Sequence, residues 1–342
     1  MDLLYVHPHG HLNDLVVPAG ALTSVNAFAG SKLGRYAFEL DDDEIRQARV
    51  VAADLHWALG VSGFAPLVRH VRALRPEVPI VVGGVTAGHL ARELLDARLA
   101  DFVLVGDSEV GFAALVDALV AGRATAGLPN VHARGEAPVA RRMTEAEFDV
   151  TDCLTADWFP TYDAVSRLDA AAFPAGRTLP VARGCPLRCP DCYGSYASTY
   201  GAGYLVRSPA GVVGLLRRAA AMELANLRLF LGKLPAPRLD ALIDAIAAAG
   251  PFPFDSMLGL FLCTPPSPEQ CARLEAAFPG EVAFSMVPPA EHVPALPDAT
   301  RAHEEGAWRT LAAHVRASSR AHLDAWTTAR GSAERARALF AP

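Results

Sequence analysis

The first 125 residues alternate short apolar runs with longer segments of helical periodicity. Runs that suit buried strands occupy residues 3–7, 50–54, 78–82 and 101–105. Segments in which apolar residues recur every three or four positions occupy residues 64–74, 89–99 and 110–120. The stretch from residue 8 to about Lys32 is punctuated by glycine and proline and is interpreted as a loop. The alternation predicts βαβ units and a doubly wound parallel sheet.

A second alternating region begins near residue 178. Apolar runs that predict strands occupy residues 178–182, 227–231, 257–262, 282–287 and 322–326. Helical patterns occupy residues 209–222, 238–248, 268–278 and 304–317. The pattern therefore predicts a second α/β unit with five strands.

The pattern loosens between the two alternating regions, which predicts three parts: a domain at 1–125, a connector at 126–177 and a second domain at 178–342. Trp158, Phe159 and Tyr162 cluster in the connector. We interpret these aromatic residues as packing anchors, with substrate contacts as the alternative.

Composition narrows the class of protein. The chain has 342 residues, 51% hydrophobic and 20% charged, which indicates a globular protein of about two domains. The net charge of −6 shows no excess of basic residues, which argues against a nucleic-acid-binding protein. Apolar runs fall short of the ~18 residues that a membrane span needs, and the N-terminus lacks the positive region of a signal peptide. We expect a cytoplasmic protein with no membrane partner.

Three cysteines lie close together immediately after the strand predicted at 178–182. Cys185, Cys189 and Cys192 have C-x-x-x-C-x-x-C spacing, on a loop that Pro186 and Pro190 stiffen. Thiolates favour iron–sulfur clusters, zinc or copper(I), and zinc sites usually complete four protein ligands. The other cysteines, at 153, 263 and 271, form no second C-x-x-C pair. A cluster with three cysteine ligands and one open iron is the preferred interpretation, and zinc is the alternative.

This motif, following a strand, resembles that of the radical S-adenosylmethionine enzymes. The resemblance implies a [4Fe-4S] cluster on Cys185, Cys189 and Cys192, whose open iron binds the amino and carboxylate groups of S-adenosylmethionine. It also implies a partial (β/α) barrel, a small-molecule substrate and a reductant such as flavodoxin or ferredoxin. Family barrels have about six strands, so five predict a barrel that is truncated at the C-terminus.

Two positions depart from the family pattern for the co-substrate. The residue before the last cysteine is usually aromatic in the family, whereas here it is Asp191, and Tyr193 follows the cysteine. The second barrel strand usually ends in Gly-Gly-Glu, whereas here it ends in Gly232 and Lys233. The resemblance places Asp191, Tyr193 and Gly232 near S-adenosylmethionine. A lysine beside the ammonium group of the co-substrate is a like-charge placement.

In the first region, glycine and polar residues follow the predicted strands, where parallel sheets bind ligands. Glycine pairs let the backbone approach a ligand, and a following helix offers amides to an anion. The candidate residues are Asp54, His56, Gly83, Gly84, Thr86, Asp107 and Glu109.

The order of these loops resembles the cobalamin-binding domain of one subfamily of radical S-adenosylmethionine enzymes. The D-x-H-x-x-G motif that supplies a histidine to cobalt in methionine-synthase-type domains is absent from the loop after the first strand. The resemblance therefore implies cobalamin held without a histidine on cobalt.

These observations predict a cobalamin-binding radical S-adenosylmethionine enzyme that cleaves its co-substrate reductively, for methyl transfer or another radical transformation of a biosynthetic intermediate. The alternative is a shortened, non-catalytic accessory protein that binds an iron–sulfur cluster or cobalamin. Lys233 and the short barrel favour the alternative, and the three cysteines oppose it.

Overall fold

The chain forms two compact units, each with its own parallel sheet. The computed structural model describes residues 1–8, 15–56, 60–136, 138–169, 171–173, 176–184, 205–232, 234–262, 265–286 and 298–325. Unit 1 comprises Met1–Thr144 and Thr151–Ala164, and unit 2 comprises Glu145–Val150 and Val165–Pro342.

Unit 1 is built on a six-stranded sheet in the order β2-β1-β3-β4-β5-β6. The first five strands are parallel and β6 is antiparallel to β5. The strands are β1 Leu3–His7, β2 Lys32–Tyr36, β3 Val50–Asp54, β4 Ile80–Gly83, β5 Phe102–Leu104 and β6 Val131–Ala133. The helices are α1 Ala19–Ala27, α2 Asp42–Gln47, α3 Val61–Leu74, α4 Val85–His89, α5 Ala91–Asp96 and α6 Glu109–Val120. The predicted doubly wound sheet is confirmed.

Both faces of this sheet are covered, because alternate residues of each strand enter different cores. Leu4 and Val6 of β1 pack in a core that includes residues of α2, α3 and α5. Leu3 and Tyr5, on the opposite face, pack with residues of α1 and α6 and with the 156–162 segment. The strands are therefore buried on both sides, which explains their nearly continuous apolar runs.

The prediction of a loop from residue 8 to Lys32 is wrong for residues 19–27, which form α1. The hydrophobic pattern did not indicate this helix because its buried positions include the polar residues Thr23 and Ser24. Their hydroxyls donate to carbonyls one turn earlier in the same helix. The ammonium group of Lys32 donates to the carbonyls of Val25 and Phe28 and so stabilises the C-terminal end of α1.

Unit 2 contains a parallel five-stranded sheet in the order β13-β12-β11-β10-β7. Its strands are β7 Arg177–Pro180, β10 Asn226–Gly232, β11 Ser256–Leu262, β12 Glu281–Met286 and β13 Ala321–Ala325, and β8 Ala182–Arg183 pairs with β9 Leu205–Val206. The helices of unit 2 are α7 Glu145–Asp149, α9 Pro209–Ala221, α10 Ala236–Ala249, α11 Pro268–Ala277 and α12 Asp298–Ala317, whereas α8 Pro160–Val165 lies almost entirely in the Thr151–Ala164 segment of unit 1. Each strand lies beside the one before it in the sheet, as in a (β/α) barrel, and the five predicted strands are confirmed.

The aromatic residues of the connector are buried in unit 1, which confirms their interpretation as packing anchors. The rings of Trp158 and Phe159 meet Tyr5 at centroid distances of 5.6 Å and 5.9 Å. A Cβ at position 34 would lie 2.5 Å from Cγ of Phe159, so glycine at that position of β2 lets the ring approach the strand. The indole nitrogen of Trp158 donates to Asn26 Oδ1 at 2.7 Å. No helix within the described ranges is both long and apolar enough to cross a membrane.

Arg207 joins α7 to the strands that lead to the cysteine motif. Its guanidinium is buried, with Nε donating to Pro180 O at 2.8 Å and Nη1 donating to the carbonyls of Phe148 and Asp149 at 2.5 Å and 2.9 Å. It also lies 4.4 Å from the ring centroid of Phe148. The arginine therefore satisfies three carbonyl groups from two separate segments.

Replacing Arg207 with methionine should lower the free energy of unfolding by about 2 kcal/mol, because buried carbonyls lose charged donors. The matched control is Arg238→Met, since Arg238 also reaches α7, through Glu145, but both side chains are about half exposed. This variant should lose less than about 1 kcal/mol. Urea denaturation followed by circular dichroism measures both changes, and equal changes would contradict the anchoring role.

Candidate functional site

The order of strands places a topological switch point at the carboxyl ends of β1 and β3. From β1 the chain moves outward to β2 and then returns to form β3 on the other side of β1. Helices that follow neighbouring strands to opposite faces leave an opening at such a switch point, and open α/β sheets bind ligands there. His7 is the last residue of β1 and Asp54 is the last residue of β3.

These two residues form a buried hydrogen-bonded group with Tyr5. Nδ1 of His7 lies 2.7 Å from Oδ1 of Asp54, and the hydroxyl of Tyr5 donates to the same oxygen. The three residues are 2–4% exposed. Val6 pairs with Ala53, so the two strands end at the same height in the sheet. The side chains of His7 and Asp54 therefore meet across the switch point.

The electrostatics of this group keep Asp54 ionised. Burial by itself would raise the pKa of the Asp54 carboxyl, but the charge of His7 and hydrogen bonds from His7 and Tyr5 outweigh it, and the pKa is lowered. Burial, followed by the charge of Asp54, raises the pKa of Tyr5 well above its usual value. Tyr5 is therefore a fixed hydrogen-bond donor to a carboxylate.

The loop after β4 is held against the loop after β3. The hydroxyl of Thr86 donates to His56 O at 2.9 Å, and the amide of Ala87 donates to Leu55 O at 3.0 Å. The amide of Ala87 is thus used inside the protein, so this one first-turn amide of α4 is not available to an anion. The structure brings His56, Gly83, Gly84 and Thr86 together beside Asp54, and their role in binding a cofactor stays a prediction.

Asp107 and Glu109, predicted as cofactor-binding residues, contact other parts of unit 1. The fully buried carboxylate of Asp107 accepts from Arg142 Nε at 3.0 Å and from the amide of Met143 at 2.9 Å. Glu109 accepts from the hydroxyl of Thr23 at 2.5 Å. Both carboxylates therefore stabilise the loop after β5 through protein contacts.

Most of the predicted cluster and co-substrate site lies outside the described residues, namely Cys185, Cys189, Cys192, Asp191, Tyr193 and Lys233. Gly232 ends β10 with a φ of +57°, and a Cβ there would have no neighbour within 4 Å. Arg183, at the end of β8, is buried over the ring of Phe148, and Gly184 has a φ of +88°. In the described part of the chain, no three His, Cys, Asp or Glu side chains are grouped as a metal site would require.

His7 and Tyr5 are not among the site residues that the sequence pattern predicts. The available signal was weak: a histidine at the end of one apolar run and an aspartate at the end of another. Only the strand order shows that these two runs are neighbours, because β2 follows β1 in the chain but pairs on its other side.

Comparison with solved structures identifies the class of fold. No protein-family model matches the sequence, and no protein with a curated description is detectably similar in sequence. The whole chain nevertheless superposes on cobalamin-dependent radical S-adenosylmethionine enzymes, and it has their fold: a cobalamin-binding-type sheet followed by a radical S-adenosylmethionine barrel.

Two of these enzymes are particularly informative. One is TsrM from Kitasatospora setae, a radical S-adenosylmethionine methyltransferase, with a TM-score of 0.71 and 17% identity over 98% of this chain and 71% of that one. It has been solved with tryptophan substrate and a co-substrate analogue, and with cobalamin and a [4Fe-4S] cluster. The other is OxsB, a cobalamin-dependent radical enzyme, with a TM-score of 0.56, 12% identity and 45% of its length covered.

Proposed function

We propose that this chain is a cobalamin-dependent radical S-adenosylmethionine enzyme that transfers a methyl group to, or otherwise transforms, a small molecule. The observation that carries the proposal is the place of the C-x-x-x-C-x-x-C motif. It follows directly on β8 in a chain whose fold matches TsrM over 98% of its length. The accessory-protein alternative rests on the five-stranded barrel and on Lys233, which lies outside the described residues, and the three cysteines oppose it.

The residues of the chain fit the groups that this function requires. Three closely spaced thiolates suit an iron–sulfur cluster, and Cys185, Cys189 and Cys192 would hold it. When bound there, the cluster would supply the electron that cleaves S-adenosylmethionine. The switch point of unit 1 would hold the cobalamin, with His56, Gly83, Gly84 and Thr86 beside it.

Unit 1 has features that favour a large ligand at this edge. The sheet order puts a topological switch point between β1 and β3, and the polar group there is built from a carboxylate and an imidazole that are joined by a hydrogen bond. Gly84 adopts a φ of +108°, which keeps the turn between β4 and α4 tight against the end of β3. The loop ends are therefore preorganised before any ligand arrives.

The test is anaerobic reconstitution followed by assay. We expect about four irons and four sulfides per chain, retention of hydroxocobalamin through gel filtration, and turnover of S-adenosylmethionine to 5′-deoxyadenosine or S-adenosylhomocysteine in the presence of a reductant. Stoichiometric zinc without iron, or protein that emerges colourless after incubation with cobalamin, would refute the proposal. Tryptophan and other small aromatic molecules are the first substrates to try, because tryptophan is the substrate bound to TsrM.

A further inference from the structure

We propose that Arg183 raises the reduction potential of the iron–sulfur cluster, with Phe148 and Arg207 as the residues that position its guanidinium. This inference rests on the proposed function, because it requires a cluster on the cysteine motif. The three residues belong to unit 2, and none of them is among the site residues that the sequence pattern predicts.

Arg183 is a buried cation at the end of β8. Its residue is 7% exposed, and its Cζ lies 5.1 Å from the ring centroid of Phe148. A guanidinium at this distance from an aromatic ring is attracted by the negative face of the ring. The backbone is fixed as well, because Arg183 pairs with Leu205 of β9. The positive charge therefore has a defined place inside the protein instead of extending into water.

Arg207 fixes the ring that holds Arg183. Its Nη1 donates to Phe148 O at 2.5 Å, and its Cζ lies 4.4 Å from the ring centroid of Phe148. Carbonyl groups and the ring carry no net charge, so these contacts leave the positive charge of Arg207 in place. Two buried guanidinium groups thus share one aromatic ring. They repel each other, and an anionic group near the end of β8 would offset that repulsion.

The cysteine motif begins two residues after Arg183. The chain turns at Gly184, which has a φ of +88°, and Cys185 follows. Two residues span at most about 7 Å, so the first predicted ligand is a close neighbour of Arg183 in the chain. A cluster held by thiolates gains one negative charge when it accepts an electron. A nearby buried cation stabilises the reduced cluster more than the oxidised one and so raises the potential.

A redox titration of the full chain, reconstituted with iron and sulfide, tests the inference. Electron paramagnetic resonance measures the reduced cluster, which has an unpaired electron. Arg183→Met removes the charge but keeps an apolar side chain. At the potential that half-reduces the wild type, its ratio of reduced to oxidised cluster should be about tenfold lower, as expected for a unit charge about 10–15 Å away at an effective dielectric constant of about 20. This change corresponds to a negative shift of about 59 mV for one electron.

Two further variants separate the charge of Arg183 from its packing. Arg183→Lys keeps a cation over the ring and should keep a midpoint potential close to that of the wild type. Arg238→Met removes a cation that also reaches α7, through Glu145, but both side chains are about half exposed. Water and salt screen such a charge, so this variant should leave the potential unchanged. A purely structural role of Arg183 would change the iron content and the stability, but not the potential of the clusters that form.

The outcomes separate this inference from the proposed function. A wild-type chain that binds no iron–sulfur cluster overturns both. A cluster whose potential is the same in Arg183→Met and the wild type overturns only the role of Arg183, and so does an equal shift in Arg183→Lys and Arg183→Met.

A methionine variant that binds no cluster is replaced by Arg183→Gln, which keeps hydrogen-bond donors without the charge. If neither neutral variant binds iron and Arg183→Lys does, the positive charge is required beside the cluster, as proposed. If all three variants fail to bind iron, the shape of the arginine matters and its charge does not, and the inference is overturned.

Discussion

Replacing Cys185, Cys189 or Cys192 with alanine should leave the anaerobically reconstituted chain without its cluster. Each variant removes one of the three protein ligands of the cluster. No C-x-x-C pair elsewhere in the sequence can supply a replacement thiolate. We expect iron content to fall from about four per chain to near zero, together with the visible absorbance of the cluster. Turnover of S-adenosylmethionine should fall below detection.

Cys153 and Cys271 provide the matched controls. Both are fully buried and neither forms a disulfide, and burial, with a smaller contribution from Glu275, raises the pKa of the Cys271 thiol to about 12. A thiol with such a pKa stays protonated at neutral pH, whereas cluster ligands are thiolates. Alanine at either position should therefore retain the full iron content. Loss of iron in both control variants, with retention in the motif variants, would contradict the assignment.

Gly84→Ala should destabilise unit 1 by about 3 kcal/mol or more, through backbone strain and steric overlap together. Gly84 has φ +108° and ψ 167°, a conformation that is essentially restricted to glycine. An added Cβ would lie 2.7 Å from Leu55 O and 2.9 Å from the amide nitrogen of His56. Because both neighbours are backbone atoms, relief requires a shift of the segment that follows β3.

Gly83→Ala is the control, one residue earlier in the same loop. Its added Cβ would lie 3.7 Å from the side chain of Leu104, an ordinary van der Waals contact. This variant should lose less than about 1 kcal/mol. Thermal and urea denaturation measure the two stabilities, and titration with hydroxocobalamin measures binding, which we expect to be weakened mainly by Gly84→Ala. Equal losses in the two variants would contradict the strain argument.

The hydrophobic pattern predicted most of the strands because buried parallel strands have nearly continuous apolar runs. The runs at 50–54, 227–231 and 322–326 agree with β3, β10 and β13 within a residue or so. The pattern failed at β2 and α1. Lys32 and Arg35 interrupt the apolar character of β2, and α1 buries the small polar residues Thr23 and Ser24.

The candidate site was predicted less completely than the fold. Glycines and polar residues at strand ends were visible in the sequence, but their partners were not. The carboxylate of Asp107 contacts Arg142 and Met143, which follow it by about 35 residues, and the sequence pattern did not indicate these partners. His7 and Asp54 come together through a strand order that periodicity cannot reveal. Local signals therefore predict where side chains are exposed at strand ends, and long-range pairing decides which of them meet.

The division of the chain between the two units has a consequence for folding during synthesis. Residues 145–150 belong to unit 2, and the chain then returns to unit 1 for residues 151–164 before it continues into unit 2. The aromatic residues that cover the Tyr5 face of the first sheet therefore leave the ribosome only after α7 has been made. A nascent chain that stops at residue 125 has α1 and α6 on that face but leaves the part covered by residues 156–162 open to water. Completion of unit 1 therefore waits for a segment that follows the first residues of unit 2 in the chain.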